Sequence, residues 1–457
     1  MKNEHIMPTA LIVLAAGQGT RMNSDLPKVL HRLGGVPLFA HALSAARPLG
    51  ADKTILVVGH KGEEVAKAAR DLDPEAVIVD QPEQNGTADA VKQARASLAD
   101  FEGDVVVLYG DTPFIRPETL ANLARARARH DVVVLGFRAQ DPGRYGRLVM
   151  DGDRLDRIVE FKDADAEQRK IDLCNSGIMM AHAEVLFDLL EAVNNDNASG
   201  EYYLTDIVEI AASRGLSATA VTCQEHETLG INTRQELARA EAEFQARARA
   251  EALENGVTMT APETVFLALD THLGRDVTIE PHVVFGPGVT VENQATVRAF
   301  SHLEGCHVGA GAIVGPYARL RPGAELSNDV RIGNFVEIKN ARIGDGAKVN
   351  HLSYIGDAEI GEKSNIGAGT VTCNYDGVNK HRTTIGRNVF VGSDTMLVAP
   401  VKLGDNSMTA SGSVINRDVP EGSLGIARAA QENIAGFARR WFEKLKSRKE
   451  KQQKGSD

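Results

Sequence analysis

Val308-Gly-Ala-Gly-Ala-Ile-Val314-Gly-Pro-Tyr-Ala-Arg-Leu320-Arg-Pro-Gly-Ala-Glu-Leu326 sets an aliphatic residue at every sixth position. The period recurs from about Leu273 to Val419, through Ile279, Val291, Val297, Ile332, Ile338, Val349, Ile355, Ile360, Ile366, Val391, Leu397 and Leu403, often with Gly next in line. An α-helix repeats near 3.6 residues and a strand at two, so neither carries this spacing. A six-residue period is that of a parallel β-helix, in which each short strand sends one aliphatic side chain into a prism core and the Gly helps the chain turn. At three hexads per coil the stretch supplies roughly eight coils, each touching only its neighbours. Such a solenoid can be pure scaffold, and the residues that break its repeat decide whether it carries chemistry.

Outside that stretch, 457 residues leave room for roughly two to three domains in all. Hydrophobic residues make up 43% and charged residues 25%, a globular balance. No run approaches the roughly 18 apolar residues of a membrane span, so no membrane partner is expected. Ala10 to Ala16 has the look of a short signal core, but Gln18-Gly-Thr-Arg21 follows with no cleavage-type spacing, and it reads as a buried strand. With 51 basic against 62 acidic residues the net charge is −11, which argues against a phosphate-tracking surface and against nucleic acid as a partner. Cys174, Cys223, Cys306 and Cys373 are scattered without a Cys-x-x-Cys pair, so the expectation is a reducing, cytoplasmic setting with neither zinc nor disulfides.

Toward the amino terminus, Leu11 to Leu14, Thr54 to Val58 and Asp104 to Leu108 are apolar without alternation and are separated by helix-like stretches. That is the pattern of parallel strands buried on both faces of an α/β sheet, whose ligands sit beyond the carboxyl ends of the strands. The first run is followed by Leu14-Ala-Ala-Gly17-Gln-Gly19-Thr-Arg21-Met22 and then Asp25-Leu-Pro-Lys28. Two glycines let backbone N–H groups close on an anion, and Arg21 and Lys28 can neutralise phosphate. A dinucleotide fingerprint would need Gly in place of Met22, and a Walker loop would need Gly-Lys-Ser/Thr. The third run ends in Tyr109-Gly110-Asp111, where an Asp is commonly a helix cap but can also hold a hard cation across phosphate oxygens.

The whole string resembles the signature of the sugar-1-phosphate nucleotidyltransferases. That resemblance implies a Rossmann-like nucleotidyltransferase domain over residues 1–232 that binds UTP and a sugar phosphate through Leu14, Ala15, Ala16, Gly17, Arg21, Lys28, Tyr109 and Gly110. It further implies Gln81, Gly86 and Thr87 at the base, Gly146, Glu160 and Asn175 at the sugar, and Mg2+ held by Asp111 and Asn232. Thr233-Arg-Gln-Glu236 then has the spacing of a capping box. It opens an Ala-rich helix that Asn255-Gly256 closes, read as a solvated connector over 233–256 with Leu237, Ala240 and Phe244 on its packing side.

The β-helix domain is expected over 257–457. Its polar intrusions are Arg319-Leu-Arg321-Pro-Gly323, Glu337-Ile-Lys339, His351-Leu-Ser-Tyr354-Ile-Gly356-Asp357 and Asn365, recurring close to coil spacing, and residues 373–381 interrupt the repeat as a loop extruded on one face. With these the resemblance spans nearly the whole chain and narrows to the bacterial bifunctional family of N-acetylglucosamine-1-phosphate uridylyltransferases and glucosamine-1-phosphate acetyltransferases. It implies a left-handed β-helix and a homotrimer. It also implies a glucosamine 1-phosphate site with His351 as general base and Arg321, Lys339, Tyr354 and Asn365 as binding residues, and an acetyl-CoA site at Ala368, Asn374, Tyr375, Ser393, Ser411 and Arg428. Relatives often carry Ala in place of Ser411, which points to its backbone. The same resemblance implies that the N-acetylglucosamine 1-phosphate so formed is the acceptor for the first domain, and that the product feeds cell-envelope synthesis.

Two further readings stay open on the sequence: a β-helix that only oligomerises or senses an effector, and a chain that has kept the fold and lost catalysis. Intact Arg21, Lys28, Asp111 and Asn232 weigh against the second, and the set from His351 to Asn365 weighs against the first. The charged end from Arg439 through Lys454 is read as a frayed, solvated tail.

Overall fold

The computed structural model describes residues 7–453 and gathers the chain into two units. The first holds the chain up to Gly256 with Ala261–His272 and Val284–Gly288, and the second holds Val257–Thr260, Leu273–Val283 and the chain from Val289 onward.

Strands β1 (Thr9–Ala15), β2 (Lys53–Val58), β3 (Val77–Asp80) and β4 (Asp104–Tyr109) are the three apolar runs and one more. All seven residues of β1 are buried, as an unalternating strand requires when helices cover both faces. Leu11 and Val13 enter one apolar core and Ile12 and Leu14 the other. Beyond them come β5 (Val132–Arg138), β6 (Arg147–Asp151), β7 (Arg154–Val159), β8 (Leu173–His182) and β9 (Ala218–Cys223). The sheet order is β9-β5-β8-β4-β1-β2-β3, with the β6–β7 hairpin attached to β8. β8 runs antiparallel to β4 and β5, so the sheet is mixed where the sequence suggested parallel strands alone. β1 pairs in parallel with β2 and β4, which leaves the loops after Ala15 and Tyr109 side by side at one sheet edge.

Helix α1 (Arg234–Glu254) forms where the capping box predicts: Glu236 N donates to Thr233 Oγ1 at 3.1 Å, and Thr233 N donates back to Glu236 Oε2 at 3.0 Å. Gly256, at φ 89°, follows its end in the left-handed region. Leu237, Ala240 and Phe244 pack on Leu33, Leu38, Phe114 and Ile231. The helix is less of a solvated connector than its charges suggested, because Gln245 is only 3% exposed and exchanges two hydrogen bonds with the backbone of Leu267.

In the second unit Thr278 pairs with Thr296, Thr296 with Ile313, Ile313 with Arg331 and Arg331 with Lys348, always in parallel, so one coil takes about eighteen residues. From Ile279 to Leu403 every aliphatic residue of the hexad series named above is at most 3% exposed. With hexapeptide repeats and parallel coils this is the left-handed β-helix. The glycines after the aliphatics serve another purpose than turning. A Cβ on Gly333 would lie 1.9 Å from Asn350 O and one on Gly309 2.5 Å from Ser327 C, so they let the next coil stack. The corners themselves are left-handed and often carry larger residues, including His282, Phe300, Tyr317, Phe335 and Leu352 at one edge and Asn340 and Asp357 at another.

The carboxyl-terminal run is helical over α2 (Phe437–Gln453), with Phe437 and Trp441 stacked at 6.0 Å; Lys454 lies outside the described residues. Apolar residues at Phe437, Trp441 and Leu445, four apart, give it the helical pattern that the charge run obscured.

Candidate functional sites

At the carboxyl edge of the sheet lies a cleft of about 280 Å3 lined by Leu14, Ala15, Ala16, Gly17, Lys28, Gln81, Gly86, Thr87, Tyr109 and Asp111. Lys28 Nζ forms an ion pair with the Asp111 carboxylate and donates to Asn232 Oδ1 at 3.1 Å, and Arg21 Nη2 donates to the same oxygen at 2.8 Å. Two residues more than 100 positions apart thus turn one carboxylate and one amide oxygen toward two cations. Asn232 is held from behind, since Glu236 Oε2 accepts its N–H at 2.7 Å as well as that of Thr233.

This oxygen-only donor pair suits a hard cation. Among the described residues no cluster of three His, Cys, Asp or Glu could hold a metal, so phosphate oxygens and water would supply the other ligands. The residues present fit Mg2+ on those terms.

Gly86 is confined to glycine by φ 119° and by Tyr202 O, 2.5 Å from where a Cβ would stand. Gln81, buried, donates to Gly86 O at 3.1 Å and to Asp89 Oδ2 at 2.8 Å, and so fixes the loop around the predicted base site. Gln84, which sequence reading missed, donates to Ala16 O at 2.8 Å and ties the two loops together. Gly110 packs under the cleft, close to Phe39 and Val29. Burial pushes the Tyr109 hydroxyl up, so it stays protonated.

Gly146, Glu160 and Asn175 come together: Asn175 N donates to Gly146 O at 2.9 Å, and a Cβ on Gly146 would stand 3.2 Å from Glu160 Oε1. Burial raises the carboxyl of Glu160, and Thr205 Oγ1 donates to it at 3.4 Å. Next to Thr205, Asp206 is pushed up to about 6 by burial and then by Glu209 and Glu160.

In the β-helix, Gly369 N donates to His351 O, Asp394 N to Ala368 O and Gly412 N to Ser393 O, so His351, Ala368, Ser393 and Ser411 stand in one column, a coil apart. His351 Nδ1 faces Asn334 Oδ1 at 3.0 Å, its partner in strand register. An acceptor there places the ring proton on Nδ1 and leaves Nε2 as a base. Asn334 gave no sequence signal, since its meaning comes only from lying one coil below His351.

On the adjoining face Glu337 pairs in register with Tyr354 and Lys339 with Gly356. Arg321 Nη1 donates to Glu337 Oε1 at 2.8 Å. The loop 374–382 is ordered as a small hairpin: Tyr375 bridges Lys380, and His381 N donates to Asn374 O at 2.8 Å. It carries Asn374 onto Asp357 and within 3.5 Å of the Tyr354 hydroxyl. Burial opposes the charge of Asp357, but bonds donated by Asn340 and Asn374 hold its carboxyl below the usual range. The loop also delivers Lys380, missed in the sequence, toward Lys339, whose proximity lowers the ammonium of Lys380. Tyr375 is 60% exposed at the loop tip. Asn365 lies a coil above Lys348, while Ala368 and Gly369 lie above His351, and Arg428 lies exposed beyond the last coil, so a single chain does not bring these two to the column.

The MobA-like NTP transferase domain family matches residues 11–199, and the bacterial transferase hexapeptide family matches residues 382–417. Over the full length the chain is 61% identical to the bifunctional protein GlmU of Jannaschia sp. (strain CCS1), across 98% of both chains. It is 63% identical to that of Ruegeria sp. (strain TM1040), across 98% of this chain and 100% of the relative. With that of Ruegeria pomeroyi the identity is 64% over the same shares.

Proposed function

The chain belongs to the bifunctional GlmU family, and from that premise we infer how its residues divide the work. It is a transferase with two activities: acetylation of glucosamine 1-phosphate, and transfer of uridylyl from UTP to N-acetylglucosamine 1-phosphate with release of pyrophosphate. The reading of the first site rests on the convergence of Lys28 and Arg21 on Asp111 and Asn232 at the sheet edge. In uridylyl transfer the sugar phosphate attacks the α-phosphorus of UTP and pyrophosphate leaves, so positioning and charge neutralisation carry the catalysis. Mg2+, bound by Asp111 and Asn232, would draw charge off the phosphate oxygens. With Asp111 and Asn232 holding the cation, Lys28 and Arg21 would be free to bind phosphate. The loops with Leu14 to Gly17 and Gln81 to Thr87 hold the nucleotide, and Gly146, Glu160 and Asn175 hold the sugar.

In the second site His351 Nε2 accepts a proton from the substrate amine as its nitrogen attacks the thioester carbonyl of acetyl-CoA, and the thiol leaves. Arg321, Lys339 and Lys380 supply positive charge for the sugar phosphate, while Tyr354 and Asn374 line the approach. The column of Ala368, Ser393 and Ser411 offers a track for coenzyme A, completed by Arg428 in a homotrimer. Support for that assembly is the exposed aromatic edge of the β-helix, discussed below. UTP and acetyl-CoA as substrates point to the cytoplasm; no helix among the described residues is long and apolar enough to cross a membrane.

The direct test is paired: thiol release from acetyl-CoA with glucosamine 1-phosphate, and pyrophosphate release from UTP with N-acetylglucosamine 1-phosphate. Both should depend on the stated acceptor, and uridylyl transfer should stop with EDTA. Thiol release without acceptor dependence would remove the proposed roles in the β-helix.

A further inference from the structure

Arg147 is 1% exposed, the largest side chain buried so completely, and no carboxylate among the described residues pairs with it. An isolated buried cation is costly, so its retention needs a reason in its contacts. Its guanidinium donates to three backbone carbonyls on two segments: Gly143 O at 3.1 Å and Tyr145 O on one, and Arg169 O at 3.4 Å on the other. Its plane also lies over the Phe161 ring at 5.9 Å, and that ring is capped by Arg169 at 4.6 Å. Nε is left without a partner, so the fork is spent on holding carbonyls.

The contacts of Arg147 are the chain neighbours of the sugar-site residues. Gly146 is adjacent to Arg147 itself, Phe161 follows Glu160, and Cys174, which pairs with Arg147 in register, precedes Asn175. Along a strand consecutive residues point to opposite sides, so the register pair of Arg147 and Cys174 sets Asn175 toward the other face, while the contact of Arg147 with Phe161 fixes the chain directly after Glu160. The strands around Gly146 cannot supply this alone: Gly143 lies at φ 43° in a turn, and Phe161 to Lys170 is irregular apart from one short helical turn.

We propose that Arg147 is a positioning residue for the sugar phosphate in uridylyl transfer, clamping the 143–146 loop and the 161–169 segment so that Gly146, Glu160 and Asn175 meet one sugar. The inference rests on the assignment of those three residues to the sugar. Lys cannot replace it, because one ammonium cannot span three carbonyls with a planar fork.

The experiment is steady-state uridylyl transfer by wild type, Arg147→Lys and Arg147→Met, varying each substrate, with acetyl transfer by the same preparations as control. The expected result is a KM for N-acetylglucosamine 1-phosphate raised about 10- to 100-fold in both variants. The KM for UTP should move less than about threefold, and acetyl transfer should be unchanged. An unchanged sugar-phosphate KM in the variants would overturn the proposal. So would an equal rise for both substrates together with a lower melting temperature, which is what a merely structural role gives. Should Arg147→Met fail to fold, Phe161→Leu removes one wall of the clamp and should still raise the sugar-phosphate KM selectively; if it does not, the proposal falls. A wild-type enzyme inert toward N-acetylglucosamine 1-phosphate would instead refute the assignment of the site.

Discussion

His351 sits where one coil of the solenoid meets the next, and its chemistry depends on the neighbour below it. A positioned base contributes a factor of about 10² to 10⁴. His351→Ala should therefore lower acetyl turnover by about that much, with little change in sugar-phosphate KM. Part of the loss should return toward pH 9, where more substrate amine is neutral. Asn334→Ala removes the acceptor that keeps the proton on Nδ1, 3.0 Å away, and should cost roughly tenfold in turnover with the binding constants intact. Steady-state rates from pH 6 to 9 decide both, and a His351→Ala enzyme within a few-fold of wild type would make the residue a bystander.

Asp206 makes the residue-scale argument for stability. Its carboxyl, pushed up to about 6, holds a proton in the folded chain that the unfolded chain releases near 3.9. Between those values the folded state binds more protons, so stability falls as pH rises and the full penalty stands above about 6. Asp206→Asn should stabilise the first unit by about 1 to 2 kcal/mol at pH 7.5 and by almost nothing at pH 4. Calorimetry at the two pH values measures it; a gain equal at both would mean that charge is not the cause.

At the scale of elements, helix α1 links fold to chemistry, because Glu236 closes the capping box and grips Asn232 with the same oxygen. Glu236→Ala should cost about 1 to 2 kcal/mol of stability. It should also lower uridylyl transfer about tenfold or more as Asn232 loosens, and leave acetyl transfer alone. Lost stability without lost uridylyl transfer would reduce the helix to a strut. This helix and the hexad stretch were the most legible parts of the sequence, since Thr233 with Glu236 and Asn255 with Gly256 each act within a turn of one helix end and the hexads repeat a local rule. Less could be read where a role depends on contact across coils or strands. Asn334 and Lys380 matter only through His351 and Lys339, Gln245 is buried only because Leu267 folds back on it, and antiparallel β8 has no signature distinct from a parallel strand. Glu160 and Asn175 were placed by resemblance, since nothing in their local sequence marks them.

For the whole molecule, the open question is what covers the edge of the β-helix that leads to His351. His282, Phe300, Tyr317 and Phe335 stack there, coil on coil, with ring centroids 4.8, 5.0 and 5.3 Å apart. Phe300, Tyr317, Phe335 and Leu352 are between 48 and 62% exposed, although each takes a left-handed backbone that bulky residues seldom adopt. Strain of that kind costs about 1 to 3 kcal/mol per residue and persists where another interaction offsets it. Burial of this strip against further copies of the chain would supply such an offset, at about 25 cal/mol per Å2 of apolar surface. The edge continues through Leu352, Gly369, Asp394 and Gly412, each next to a residue of the proposed acetyl site, so a neighbour seated on the strip would reach the column of His351, Ala368, Ser393 and Ser411. Tyr317→Lys places a charge mid-strip without touching either site. It should shift the sedimenting species from trimer toward monomer and remove most acetyl transfer, while uridylyl transfer stays within about twofold of wild type, since Lys28, Asp111 and Asn232 all belong to the first unit. A variant that sediments as the wild type with full acetyl transfer would show that the strip is not the seam between copies, and an active monomeric wild type would rule out the homotrimer itself.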